Sequence, residues 1–190
     1  MLGWLRQRAE LRHIGRQLYD RIVAQARSEP FYRDLCVPDT MEGRFEMITL
    51  HLYLVRERLK GEGAAGQRLG QLLLEHLIAD MDDALRQIGY DMGVPKRVKK
   101  AAAAFGDRSR AYQAALAPDA AVGSLAAALI EGVYAAGTGA TIEAGGACQD
   151  LPRQAAGLAA YMKTARSDLA QLTSDAIFAG QIAFPAVKQA

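Results

Sequence analysis

Apolar positions along this chain recur with a helical period and are cut into blocks by proline and glycine. Leu11, Ile14, Leu18, Ile22 and Ala26, spaced by three and four, predict a first helix over Leu5 to Ala26, its apolar stripe opposite an arginine-rich face. Pro30 and Pro38 bracket a linker, FYRDLCV, with room for one short turn of helix. A second helix is predicted from Asp39 or Thr40, either of which can cap its free N–H groups, to Lys60-Gly61. Within it MITLHLYLV is apolar on nearly every side, the pattern of a central helix surrounded by neighbours.

GEGAAG predicts a turn, after which Leu74, Leu77/Ile78, Met81, Leu85 and Ile88 form one stripe of a third helix, Gln67 to Ile88, stopped by Gly89. Pro95, at a favoured first helical position, opens a fourth helix to about Leu116, with Gly106 and Asp107 as a place for a kink. Asp119 is the expected cap of a fifth helix to Ala136, a Gly/Thr/Ala loop follows to Gln149, and Pro152 opens a sixth to about Leu172. Phe45, Ile48, Leu52 and Leu59 of the second helix, with Leu74, Ile78 and Leu85 of the third, are the expected core. The pattern predicts an all-α, single-domain antiparallel bundle of about six helices over 1–190, with an Ala/Gly-rich helical part, 118–190, packed on the rest.

Composition narrows this further. In 190 residues, Ala and Leu supply 58 while Val, Ile and Thr supply 23, so strong helix formers outweigh strand formers and a β-sandwich or Rossmann fold is excluded as the expectation. Charge thins along the chain: residues 1–110 hold 19 basic and 15 acidic groups, the remaining 80 only 4 and 6. The arginine-rich start, with Arg6, Arg8, Arg12 and Arg16, has no apolar signal centre, and we read it as part of the mature fold. No apolar run reaches the roughly 20 residues that span a bilayer. Cys36 and Cys148 form no C-x-x-C, so two reduced, intracellular thiols are expected.

Candidate chemistry is sparse. His13, His51 and His76 fall on three helices. His76 with Glu75, Asp80 and Asp83 could be drawn as a metal site, but an exposed polar face explains them and no metal is expected. His51, inside the apolar central helix, reads as a hydrogen-bonded core residue. No nucleophile elbow, P-loop or dinucleotide fingerprint occurs, so neither an enzyme nor a cofactor is expected. The unusual feature is PKRVKK, where Lys96, Arg97, Lys99 and Lys100 sit at the positive end of a helix. They pair either with Asp80, Asp82 and Asp83 or with an external anionic partner such as a ribosome or lipid surface. No aromatic residues interleave with them, which excludes sequence-specific nucleic-acid reading as the expectation. Arg44 reads as a surface ion pair, or as a tie from the central helix to Asp34.

These residues also carry a resemblance. LYDRIVAQAR, FYRDLCVPDT, EGRFEMITLHLYLVRERL, ADMDDALRQIGYDMGVPKRVKK and RAYQAAL occur in the order and spacing of the ubiquinol-cytochrome c chaperone family, over roughly residues 15–117. The family pattern falls on Asp39, Arg44, Phe45, His51, Asp80, Asp82, Arg86 and Pro95. The resemblance implies a non-enzymatic assembly factor for the cytochrome bc1 complex, respiratory complex III. It implies newly made cytochrome b as client and, in mitochondria, a small partner protein near the ribosome. The composition is similar to a proteobacterial member, expected in the bacterial cytoplasm and peripheral to the inner membrane; a eukaryotic member would be mitochondrial. The client groove is expected where the central helix meets the irregular apolar junction at Tyr90, Met92 and Val94. The alternative is a helical small-ligand or haem-binding protein using His51 or His76.

Overall fold

The structure, a computed structural model, describes residues 2–87, 94–137 and 150–187. Its elements are α1 (Leu2–Ala26), α2 (Glu29–Arg33), α3 (Met41–Leu59), a 3-10 turn (Lys60–Glu62), α4 (Gly63–Gln87), α5 (Val94–Ala115), α6 (Ser124–Leu129), α7 (Leu151–Ala170) and α8 (Ser174–Phe178). A π-helical turn (Ile130–Tyr134) and a 3-10 turn (Ala135–Gly137) continue α6. The six expected helices are α1 and α3 to α7; α2 and α8 are single-turn additions. Among the described residues there is no strand, and no helix is long and apolar enough to cross a membrane.

The central helix is α3. Every residue from Glu46 to Val55 is buried, because α1, α4, α5, α7 and the turns after α6 pack around it. Ile48, Leu52 and Leu59 lie in the core as expected, with Phe45 partly buried against it. The end of α3 is tied across the bundle by Arg58, which donates to the Leu172 carbonyl at 2.8 Å and pairs with Glu62 at 2.5 Å.

Several expectations shift. On α4 the fully inward face is Leu69, Leu73 and Leu77, while Leu74 and Ile78 are only half-buried and the Leu85 side chain lies outside what the structure describes. The leucine run allows either phase; close packing of Gly15 on Leu72, at 3.3 Å from where a Cβ of Gly15 would stand, accompanies the one seen. The fifth helix begins at Ser124, because Gly123 at φ 89° is left-handed and a helix from Asp119 cannot run through it. Cys36 is disulfide-bonded, so the expectation of two reduced thiols is not met. Gly106 and Asp107 sit inside an unbroken α5.

His51 is wholly buried at the middle of α3. Its Nδ1 is 2.8 Å from the Met47 carbonyl, which only accepts, so Nδ1 carries the proton. Nε2, 2.8 Å from the Tyr161 hydroxyl, therefore accepts from it. Gln25 in turn donates to the Tyr161 oxygen at 3.1 Å. The network joins α1, α3 and α7, and aromatic edges close it: Phe31 of α2 and Phe184 of the C-terminal segment stand at 5.4 and 5.0 Å from the imidazole.

Burial lowers the His51 pKa to about 4, outweighing the Met47 bond that favours the charged form. Below about pH 6.5 an unfolded chain protonates this histidine while the folded chain does not. Stability should therefore fall as pH drops from about 6.5 to about 4, by up to roughly 3 kcal/mol, and level off below. Thermal melts across that range check this against His51→Gln, whose amide can keep both hydrogen bonds without titrating. The wild type should lose more melting temperature than the variant; parallel curves would refute a neutral His51.

Candidate functional site

The start of α3 is built by a short run of residues with one task each. Thr40 caps the helix, its side chain accepting from the Gly43 N–H at 3.0 Å. That turn lies so close to the preceding strand of chain that a Cβ on Gly43 would collide with the Pro38 carbonyl oxygen and stand 3.0 Å from its carbon. Arg44 reaches back to Asp39 at 2.5 Å, both side chains about half exposed. The ion pair is thus a surface one. The alternative tie to Asp34 is corrected: Asp34 takes its neighbour Arg33 at 2.7 and 2.9 Å. Glu46, one turn on, is buried and accepts from Arg108 of α5 at 3.1 Å. Burial nevertheless pushes its carboxyl above the usual range.

This turn forms one wall of a cleft of about 800 Å³. Met41, Phe45 and Ile48 of α3 face Leu77, Met81 and Ala84 of α4, with Tyr19 of α1, Arg27 in the turn after it, Asp80 of α4 and Lys100 of α5 also lining it. The lining is mostly apolar with a charged rim, the composition of a binding site rather than of a bare surface. A second groove, about 830 Å³, runs between residues 115–126 and α7, lined chiefly by alanine and holding none of the candidate residues.

The structure therefore brings together Asp39, Arg44, Phe45, Asp80 and Lys100, from three segments, at one cleft. His51 lies elsewhere, in the core, with both ring nitrogens engaged. Asp82 pairs with Arg86 at 2.9 Å on the surface of α4. Lys99 and Lys100 are exposed at the start of α5, and neither pairs with Asp80, Asp82 or Asp83 among the described residues. For Val94, Pro95, Lys96 and Arg97 the described part is the backbone of that helix. Tyr90 and Met92 lie outside the described residues. No three or more metal-ligating side chains cluster among the described residues. Sequence reasoning missed Tyr19, Met41, Leu77 and Met81 as cleft residues. Each is an ordinary apolar position on its own helix, and only tertiary packing assembles them.

Comparison with known proteins adds a family. The family model described as ubiquinol-cytochrome C chaperone matches residues 33–184, so the match runs well past residue 117 into the Ala/Gly-rich part. A crystal structure of the Cbp3 homolog from Brucella abortus is similar at 36% sequence identity and a TM-score of 0.80, covering 98% of this chain and 97% of that one. Curated proteins yield no match.

The close approach at Gly43 makes a signed prediction. In an open helix Gly→Ala stabilises by about 1 kcal/mol; here the added methyl meets backbone, and Gly43→Ala should instead cost roughly 1–3 kcal/mol. Chemical denaturation measures it, and a stabilised variant would show that the turn does not pack on Pro38.

Proposed function

The chain belongs to the ubiquinol-cytochrome C chaperone family, and from that premise we propose that it binds newly made cytochrome b at the cleft between α1, α3 and α4. The carrying observation is that the D-T-x-x-G-R-F turn, Asp39 to Phe45, is a wall of that cleft. A chaperone for a membrane subunit has to shield apolar surface and release it unchanged, which requires a shaped apolar face and no catalytic group. Met41, nearly half exposed, and Met81 give that face adaptable side chains. The junction at Tyr90, Met92 and Val94 remains part of the proposed client surface, since α4 and α5, which it connects, both line the cleft.

Lys96, Arg97, Lys99 and Lys100 form the proposed partner surface, directed at an anionic membrane or a ribosome, in a bacterial cytoplasm at the inner membrane. Exposure of Lys99 and Lys100 supports this, as does the engagement of Asp82 by Arg86. Haem ligation through His51 is disfavoured because both its nitrogens are already hydrogen-bonded in a closed core.

Photo-crosslinkers placed at Met41 and Met81 should capture cytochrome b; capture only from the alanine-lined groove, for instance from Val122, would move the client site. For the partner surface, exchanging all four basic residues for Gln should abolish sedimentation with anionic vesicles or ribosomes. Wild-type binding should weaken steeply with salt. A lower melting temperature with unchanged sedimentation would mean that the cations serve the fold.

A further inference from the structure

The cleft holds one polar feature that its apolar lining does not explain. Among the described residues, buried side-chain atoms without a hydrogen-bond partner occur on Tyr19, Thr49, Arg58 and Tyr112. Of these residues Tyr19 alone lines the cleft. Its side chain is fully buried and its ring is fixed by stacking on His76, with centroids 5.5 Å apart and planes at 29°. The acceptor that acts on its O–H is Asp80, which leaves the lone pairs of the hydroxyl oxygen without a donor among the described residues. Asp80, one turn beyond His76 on α4, lines the same cleft and pairs with no described cation. Burial first, and then the charge and hydrogen-bond acceptance of Asp80, hold the Tyr19 phenol protonated against the opposing pull of Arg16 and Arg27.

We propose that the cleft takes an apolar helical segment of the client bearing one Lys or Arg, and that the Asp80 carboxylate and the Tyr19 hydroxyl oxygen receive this cation. The inference rests on the client reading above and names what that site selects. A carboxylate only accepts hydrogen bonds and the hydroxyl has lone pairs to spare, so the pair matches a ligand rich in N–H donors. An anionic ligand would meet Asp80 head-on. The competing bases are otherwise disposed: Arg44 is held by Asp39, and Arg27 and Lys100 are exposed at the rim. The segment's remaining contacts follow from Phe45, Ile48, Leu77, Met81 and Ala84, which suit the i, i+3, i+4 side chains of one helix face. A basic residue in an apolar segment is costly to leave unpaired away from water, and a chaperone acid covers it until the final partner is in place.

The test uses the full chain and two labelled Ala/Leu-based amphipathic peptides that differ in one central residue, Arg or Gln, read by fluorescence anisotropy and by crosslinking from Met41. The wild type should bind the Arg peptide about tenfold more tightly, the effect of one charge-assisted contact. Asp80→Asn should erase that preference, bringing the Arg peptide's affinity down to that of the Gln peptide on the same variant. Tyr19→Phe, which removes the hydroxyl oxygen and keeps the ring stacked on His76, should reduce the preference. Equal affinity of the wild type for both peptides, with crosslinking from Met41, would overturn the cation inference and leave the client cleft standing. Absence of crosslinking for both peptides would overturn the client cleft and this inference with it. A preference that survives Asp80→Asn would place the cation's receptor elsewhere and also sink the proposal.

Discussion

The structure depends on α3 having no face left for water. A helix buried on all sides cannot be stabilised by a simple amphipathic pattern; its neighbours must close around it together, and one polar side chain at its centre must be satisfied completely. His51 meets that condition because α1, α2, α7 and the C-terminal segment each contribute a group: Gln25, Phe31, Tyr161 and Phe184. The hydrogen bonds have a direction, from Gln25 through Tyr161 to Nε2 and from Nδ1 to Met47, so only the neutral imidazole with its proton on Nδ1 fits. Core polarity of this kind specifies register, since sliding α7 by one turn would strand both Tyr161 and His51.

Much of the helical layout was legible because its signals are local. Pro30, Pro95 and Pro152 each lie in the first turn of a helix, and the uninterrupted apolar run through α3 could only be a surrounded helix. What escaped was decided by contacts between distant segments. The phase of α4 was ambiguous because Leu72, Leu73, Leu74, Leu77 and Ile78 offer two adjacent stripes, and packing on α1 separates them. Asp119 is a good cap in isolation, but the left-handed Gly123 interrupts the chain four residues later. For Arg44 the nearer acid, Asp39, won over Asp34, which its own neighbour already held. The cleft was not legible as such: Asp39, Arg44 and Phe45 stood out as positions of the family pattern, while the groove was expected at Tyr90, Met92 and Val94. Tyr19 and Met81 carry no local mark distinguishing them from any other helix residue facing a neighbour.

The same turn connects core to cleft. Phe45 packs against the core and also lines the cleft, while Glu46, next to it, is clamped by Arg108 from α5. Arg108 has room because it lies along Gly132 in the π-helical turn, where a Cβ would stand 3.0 Å from its Nε. A buried carboxylate whose pKa is raised despite its arginine is not there for the energy of the pair alone. Its directional bonds fix α5 against α3, and the wall formed by α3 is therefore an extension of the core rather than a loop resting on it.

That rigidity bears on how a chaperone can be reversible. A preformed wall loses little side-chain and backbone freedom when a client arrives, so modest apolar contact suffices for capture. The opposing wall supplies the adaptable part: Met81 and Ala84 approach the end of α4, away from the aromatic centre around His51. A site with one rigid and one accommodating wall discriminates by whether a segment presents apolar side chains on one face, and less by their individual shapes. On the proposed client reading, an open cleft of about 800 Å³ would cover one face of a helix and leave the others free. If that helix belongs to a membrane subunit, the free faces are the ones it needs for its own helices, so the packing that completes the client could begin while it is still held and then displace the chaperone.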